Sequence, residues 1–267
     1  MTLATNTPGD RASVLEITPA RVKGTIRVPG SKSLTNRALV VAALAEGESA
    51  INGALFSEDT EYMSLALRDL GFSVQELPDE KKFIINGQGG KIPASSAKLF
   101  VGNSGTAMRF LTAFVSLGQG SFELDGVERM HQRPIQPLLA CLRQLGADAR
   151  SITGSGCPPV IIAARGLEGG RAVMRGDASS QYFTAVLLSA AYARGEVELA
   201  VEGELVSRPY VDMTIGLMEK FGVEVSCHNL NSFFIKAGQR YRPMTYNIEA
   251  DASNASYFLA AAAVTGG

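Results

Sequence analysis

Three short polar clusters in this 267-residue chain hold residue types that bind anions. They are Gly30-Ser31-Lys32-Ser33 with Asn36 and Arg37, Gly102-Asn103-Ser104-Gly105-Thr106 with Arg109, and Asp177-Ala178-Ser179-Ser180-Gln181. Each stands just before an apolar run of helical character. The first N–H groups of a helix have no intrahelical partner and lie at the positive end of its dipole, so they attract phosphate or carboxylate. Ser and Thr hydroxyls add donors, and Gly lets an anion approach the backbone. Lys32 and Arg37, five residues apart, could grip a phosphate or carboxylate together. Taken alone, a Ser at a helix start is more often a plain N-cap, and a lone Lys32 would face solvent. Three such starts, brought together by repetition, point to at least one anion site.

Two further stretches carry cations to helix entrances. Glu128-Arg129-Met130-His131-Gln132-Arg133-Pro134 and Ser207-Arg208-Pro209-Tyr210 both put Arg before Pro, and Pro suits a first helical turn. Caps and salt bridges would explain them structurally. Functionally, Arg133 and Tyr210 would point toward the same end as the serine clusters. His131 reads as a turn histidine. Cys141, Cys157 and Cys227 are widely spaced and odd in number, which reads as packing residues in a reduced, cytoplasmic protein and not as a disulfide framework. With two histidines in all, no HExxH pair and no Cys/His zinc cluster can be built, so no protein-bound metal is expected. No Walker loop, GxSxG elbow or helix-opening GxGxxG occurs.

The elements that must position these residues form a repeat. Leu67 to Val74, Leu142 to Ala149 and Met218 to Val225 each read as an amphipathic helix stopped by Gly (Gly71, Gly146, Gly222) and followed by a strand. The glycines recur roughly every 75 residues, a period that means a whole subdomain and not a solenoid turn. Helices over Ser33 to Ala45, Ser104 to Leu117 and Ser179 to Ala193 precede them, and a fourth copy starts at Asp251 to Val264. The first and third are apolar nearly all round and should be buried, with sheets outside and the amphipathic helices on the surface. Strands are expected at Gly24 to Pro29, Lys82 to Asn86, Ser121 to Asp125, Pro159 to Ala163, Val197 to Val201 and Ser232 to Lys236. The fold class is therefore α/β (α+β), with three βαβαββ units in residues 25–248. The start of a fourth copy means that a second lobe should begin near residue 249. A composition of 46% hydrophobic residues supports a large core, and 25 Lys+Arg against 26 Asp+Glu gives no global charge for nucleic acid or for disorder. No apolar run approaches the roughly 20 residues that span a bilayer, and the first residues lack a signal-peptide layout.

Pro29-Gly30-Ser31-Lys32-Ser33-Leu34-Thr35-Asn36-Arg37-Ala38-Leu39 closely resembles the signature near the start of the 3-phosphoshikimate 1-carboxyvinyltransferase (EPSP synthase) family. So do Gly102 to Arg109, Arg133-Pro134-Ile135, Ser179-Ser180-Gln181, Ser207-Arg208-Pro209-Tyr210 and Asp251 to Phe258, in order, from about Leu15 to Gly267. The resemblance implies two lobes of three βαβαββ units, closing on phosphoenolpyruvate and shikimate 3-phosphate without metal or organic cofactor, and it makes residues 1–24 and 249–267 a remnant of the second lobe. The enolpyruvyl group goes to the 5-hydroxyl of shikimate 3-phosphate through a tetrahedral adduct, and phosphate leaves. By matching position, Ser33, Arg37, Ser179, Ser180, Gln181, Ser207 and Tyr210 would contact shikimate 3-phosphate. Lys32, Gly105 with Thr106, Arg133 and Gln181 would hold phosphoenolpyruvate, and Lys32 and Arg133 would serve the chemistry itself. The family's acidic groups and several further cations belong to the second lobe, beyond Gly267.

One departure stands inside the motif. Many members have Pro where this chain has Phe110, which implies a different affinity for phosphonates such as glyphosate. Three other readings remain open at the level of sequence. They are a UDP-sugar enolpyruvyl transferase, a lobe that binds shikimate 3-phosphate without chemistry, and a repeat protein with incidental N-caps. A missing C-terminal half is the macromolecular partner the resemblance implies, and neither nucleic acid nor membrane is expected.

Overall fold

The computed structural model describes residues 20–228 and 231–267. They divide into two compact units, Pro29–Asp251 and the residues before Pro29 together with Ala252–Gly267.

Within Pro29–Asp251 the chain first runs α1 (Lys32–Leu44), β1 (Glu46–Asn52), α2 (Glu58–Asp69), β2 (Ser73–Leu77) and β3 (Lys82–Gln88). The second pass is β4 (Ser96–Phe100), α3 (Gly105–Val115), β5 (Gln119–Asp125), a 3-10 turn over Glu128–Gln132, α4 (Gln136–Gln144), β6 (Asp148–Ser151) and β7 (Val160–Arg165). The third is β8 (Gly170–Arg175), α5 (Ser180–Ala190), β9 (Val197–Glu202), α6 (Arg208–Lys220), β10 (Ser226–His228) and β11 (Ser232–Ile235). Then come β12 (Thr245–Asn247) and α7 (Ala252–Thr265).

Six helix boundaries have a local cause. Ser31, Ser104 and Ser179 cap α1, α3 and α5, their hydroxyls accepting from Leu34, Ala107 and Gln181 amides at 3.4, 3.3 and 3.3 Å. Helices α2, α4 and α6 end on Gly71, Gly146 and Gly222, with φ of +90°, +91° and +90°. Each glycine N–H reaches back three residues, and the following N–H (Phe72, Ala147, Val223) reaches back five. That is the same Schellman closure three times, and it needs the left-handed backbone that Gly takes without a Cβ penalty.

Three four-stranded sheets follow the same plan, in the orders β12-β1-β3-β2, β4-β5-β7-β6 and β8-β9-β11-β10. In each, the first pair is parallel and the other two are antiparallel. Alternate residues such as Val160, Ile162 and Ala164 face inward. Inside the sheets lie α1, α3 and α5; Leu34 to Leu44 of α1 are all buried. Helix α3 packs along α5, and α1 packs against α2 and α6.

The expected strand Gly24 to Pro29 is not formed; residues 20–29 have no regular structure. Its place beside β1 is taken by β12, in parallel register Ala50–Thr245, Ile51–Tyr246 and Asn52–Asn247. A parallel neighbour needs only a crossover connection, so the slot can be filled from the far end of the unit. The chain then passes its own entrance. Ser31 N donates to Glu249 O and Asp251 N to Pro29 O, both at 2.9 Å, around a Gly30–Ala250 bridge.

In the other unit, α7 buries none of its residues, and Tyr257, Leu259 and Val264 are largely exposed. The expectation for residues 1–24 falls mostly on residues 1–19, outside the described residues. No helix among the described residues is long and apolar enough to cross a membrane.

Candidate anion-binding site

Hydrogen bonds join the first turns of neighbouring helices and so bring the expected site residues to one end. Asn103, before α3, accepts from Arg133 Nη1, before α4, at 2.7 Å on its carbonyl. Gln181 in the first turn of α5 bonds Thr106 in the first turn of α3. Tyr182 of α5 donates to the Pro134 carbonyl. Arg37 of α1 reaches the Tyr210 carbonyl in the first turn of α6. Lys32 of α1 pairs with Asp59 in the first turn of α2 at 2.8 Å.

The three clusters differ in how their charge is compensated. At α1, the Lys32 amide donates to the Asp251 carboxylate at 3.3 Å, and Lys32 Nζ is paired with Asp59. Before α5, Arg175 and Asp177 neutralise each other, and the Arg175 guanidinium holds the Asp177 carboxyl below its ordinary range. At α3, two guanidinium groups, Arg109 and Arg133, stand without an ion pair among the described residues. Arg109 has its pKa lowered by burial and, less, by the charge of Arg133, with Tyr182 partly compensating. Ser104 occupies the Ala107 amide and Met108 N bonds Ser104 O, so among the described residues the Gly105 and Thr106 amides are left as the free donors of this helix end. A helix N-terminus and two arginines without a carboxylate make the α3 start the strongest local anion field of the three.

Arg133 lies directly over Gly105. A Cβ added there would stand 2.2 Å from Arg133 Nη2. Gln181 sits between the helix starts, its Oε1 accepting from Arg109 and its Nε2 donating to Thr106 Oγ1 at 3.3 Å.

Lys32 and Arg37 are not brought together. The Lys32 side chain is 48% exposed, whereas Arg37 is 2% exposed. Its Nε donates to Thr214 Oγ1 at 2.8 Å, Nη1 to the Ser33 carbonyl at 2.8 Å and Nη2 to Thr184 Oγ1 at 3.2 Å. Its guanidinium also lies 5.3 Å from the centre of the Phe110 ring. No carboxylate among the described residues pairs with it, and burial lowers its pKa from 12.5 to about 10. Ser180 is buried beside the cap Ser179, and Ser33 is half-buried. Ser207 holds a left-handed backbone (φ 54°, ψ 35°), a strained conformation for a side chain with a Cβ, and Tyr210 is exposed on the turn that follows.

The profile of the EPSP synthase (3-phosphoshikimate 1-carboxyvinyltransferase) family matches residues 17–267. The chain belongs to the EPSP synthase family. A 3-phosphoshikimate 1-carboxyvinyltransferase of Nostoc sp. is 49% identical over 92% of this chain and 58% of its own length. The chloroplastic enzyme of that name from Arabidopsis thaliana is 47% identical over 96% of this chain and 52% of its own. A solved EPSP synthase from Acinetobacter baumannii superposes with a TM-score of 0.78 at 28% identity, covering 90% of this chain and 52% of that one. The chain thus spans little more than half the length of the EPSP synthases it matches.

Some of this family member's site escaped the sequence reading. Arg109 stood in the second cluster without a role, although its i+4 spacing from Gly105 puts both on one helix face. Asp59 compensates the first cluster without a local signal, and Asp251, which marks the start of the fourth helix copy, does so from far along the chain. Cys141 is the buried packing thiol expected, pushed up to about 12 by burial. Cys227 is instead exposed on β10, with Arg208 Nη2 3.8 Å from its Sγ, because β10 is a three-residue edge strand. His131 sits on the 3-10 turn, as expected, 2.7 Å from Asp125.

Proposed function

We propose that Pro29–Asp251 is the lobe of a cytoplasmic EPSP synthase that receives shikimate 3-phosphate and the phosphate end of phosphoenolpyruvate. The observation that carries the reading is the α3 start, where Arg109 and Arg133 face no carboxylate among the described residues. Gly105 and Thr106 amides, Arg133 and the Gln181 amide can donate to a phosphate or carboxylate there. Lys32 is held by one half-exposed pair, worth roughly 0–1 kcal/mol, so it can turn from Asp59 to an arriving anion. Ser33, Ser179, Ser180, Ser207, Tyr210 and the buried Arg37 form the shikimate 3-phosphate side. Their hydroxyls suit ring hydroxyls and phosphate oxygens.

In this reading the 5-hydroxyl gives up its proton to a base as its oxygen bonds C2 of phosphoenolpyruvate, C3 takes a proton from an acid, and the adduct then loses phosphate from C2 and a proton from C3. This chain's residues orient the two anions and neutralise the departing phosphate. The carboxylates at the helix starts, Asp59, Asp177 and Asp251, are engaged by Lys32, Arg175 and the α1 amide. The proton-transfer groups therefore come from the remaining length of the enzyme, a partner that would also cover the apolar α7. A non-catalytic shikimate 3-phosphate-binding lobe is the second reading, favoured by the chain's span of 58% of the Nostoc enzyme.

Phosphate release from phosphoenolpyruvate in the presence of shikimate 3-phosphate tests both. The expected result is no turnover by the chain alone and turnover when the remaining part of a relative is supplied as a second polypeptide. Turnover by the chain alone would contradict the division of labour. Binding without turnover, even with the second polypeptide, would favour the non-catalytic lobe.

A further inference from the structure

Arginine carries five N–H donors and no acceptor. Whatever amide atom faces Arg109 must therefore be oxygen. Gln181 meets that demand, with its Oε1 on the Arg109 guanidinium and its Nε2 3.3 Å from Thr106 Oγ1. Arg109 is itself held in place. It lies one turn after Gly105 on α3, and its guanidinium is 5.1 Å from the centre of the Tyr182 ring. Tyr182 is pinned in turn by its hydroxyl bond to the Pro134 carbonyl.

We propose that Arg109 is a positioning residue that fixes the amide of Gln181, so that the NH2 group and not the oxygen serves the anion site. The inference rests on the anion-site reading above. Its consequence is a one-way chain of donors. Arg109 donates to Gln181, Gln181 donates to Thr106, and the Thr106 hydroxyl proton has no acceptor among the described residues and is left for a ligand. Were the amide to turn, an oxygen would face the phosphate, and one attractive contact would become a repulsive one. Arg109 thus acts on the ligand through Gln181 and need not touch it.

A double-mutant cycle on the 267-residue chain, with inorganic phosphate as probe, separates this role from a simple charge effect. In the parent, Arg109→Met is expected to weaken phosphate binding about tenfold; in a Gln181→Ala background the same change should cost about twofold or less. Arg109→Lys, also donor-only, should keep most of the affinity. Equal losses in both backgrounds would show that Arg109 acts by charge alone and would overturn the proposal. Should Arg109→Met fail to fold, Arg109→Gln, which carries both donor and acceptor, is expected to lose the same affinity.

The side-chain amide NMR signals of Gln181, assigned by their absence in Gln181→Ala, give a reading that needs no ligand. They should be restrained and slow to exchange in the parent and in Arg109→Lys, and move to free-glutamine values in Arg109→Met. Free values in the parent would overturn the proposal even if phosphate binds. A restrained amide in a parent that binds no phosphate would instead sink the anion-site reading and leave Arg109 a packing contact.

Discussion

The Arg133 guanidinium lies so close over Gly105 that a Cβ there would stand 2.2 Å from Nη2. Gly105 is therefore the reason Arg133 can reach the α3 amides, and the same contact allows its Nη1 to bond the Asn103 carbonyl at 2.7 Å. The clashing atom is the tip of a flexible side chain, so Gly105→Ala should displace Arg133 without breaking the fold. The expected outcome is a melting temperature within about 3 °C of the parent and a phosphate affinity about tenfold lower. Calorimetric titration and thermal melting, run side by side, check it. A fall in stability with unchanged affinity would place Arg133 outside the site.

The buried charge of Arg37 is unfavourable for the fold. Its pKa is lowered to about 10 by desolvation, and it has no carboxylate partner among the described residues. Replacing a well-paired buried arginine usually costs about 3–5 kcal/mol. Here Arg37→Met is expected to leave the melting temperature within about 3 °C of the parent, or raise it, while weakening shikimate 3-phosphate binding. A large loss of stability with binding intact would make Arg37 a strut between α1, α5 and α6.

Much of this arrangement was legible in the residues. Ser104 and Ser179 mark helix starts, and Gly71, Gly146 and Gly222 mark helix ends, because capping and the left-handed turn are local chemistry; the first helix, expected from Ser33, starts at Lys32 on the cap Ser31. The repeat period follows from them directly. The rest depended on distant partners. Gly24 to Pro29 has the composition of a strand, but Thr245–Asn247 takes its slot beside β1. Whether Arg37 faces a ligand or the interior is set by Thr184 and Thr214, far along the chain. Arg109 could have been placed by its i+4 spacing from Gly105. Its acceptor, Gln181, becomes visible once α3 and α5 are known to pack together.

Asp59 holds Lys32 at 2.8 Å on a partly solvated surface. Asp59→Asn should therefore change stability by less than about 0.5 kcal/mol and free Lys32 for an incoming anion. Phosphate affinity is expected to rise about threefold at low ionic strength and to fall back toward the parent value as salt is added. A salt-independent change, or none, would show that Lys32 does not reach the anion.

Tyr241 is fully buried, with its hydroxyl donating to the Leu188 carbonyl at 2.9 Å, and burial raises its pKa well above the ordinary value near 10. Tyr182, Tyr192 and Tyr246 are raised for the same reason. A raised folded pKa means the unfolded chain ionises first. This stability is fully present below about pH 10 and is lost as pH climbs toward the folded values. Arg37 and Arg109, both shifted down by burial, work in the opposite sense over the same alkaline range, so the tyrosine contribution is read from the difference between the parent and Tyr241→Phe. Chemical denaturation at pH 8, 10 and 11 should show the loss, and Tyr241→Phe should reduce it at a cost of about 1 kcal/mol near neutrality. An unchanged alkaline loss in Tyr241→Phe would assign it elsewhere.

The most direct measurement is calorimetric titration of the 267-residue chain with shikimate 3-phosphate. The expected result is saturable one-to-one binding that is weakened by Arg37→Met. Absence of binding up to about 10 mM, or binding indifferent to Arg37, would contradict the assignment of Pro29–Asp251 as the substrate-holding lobe.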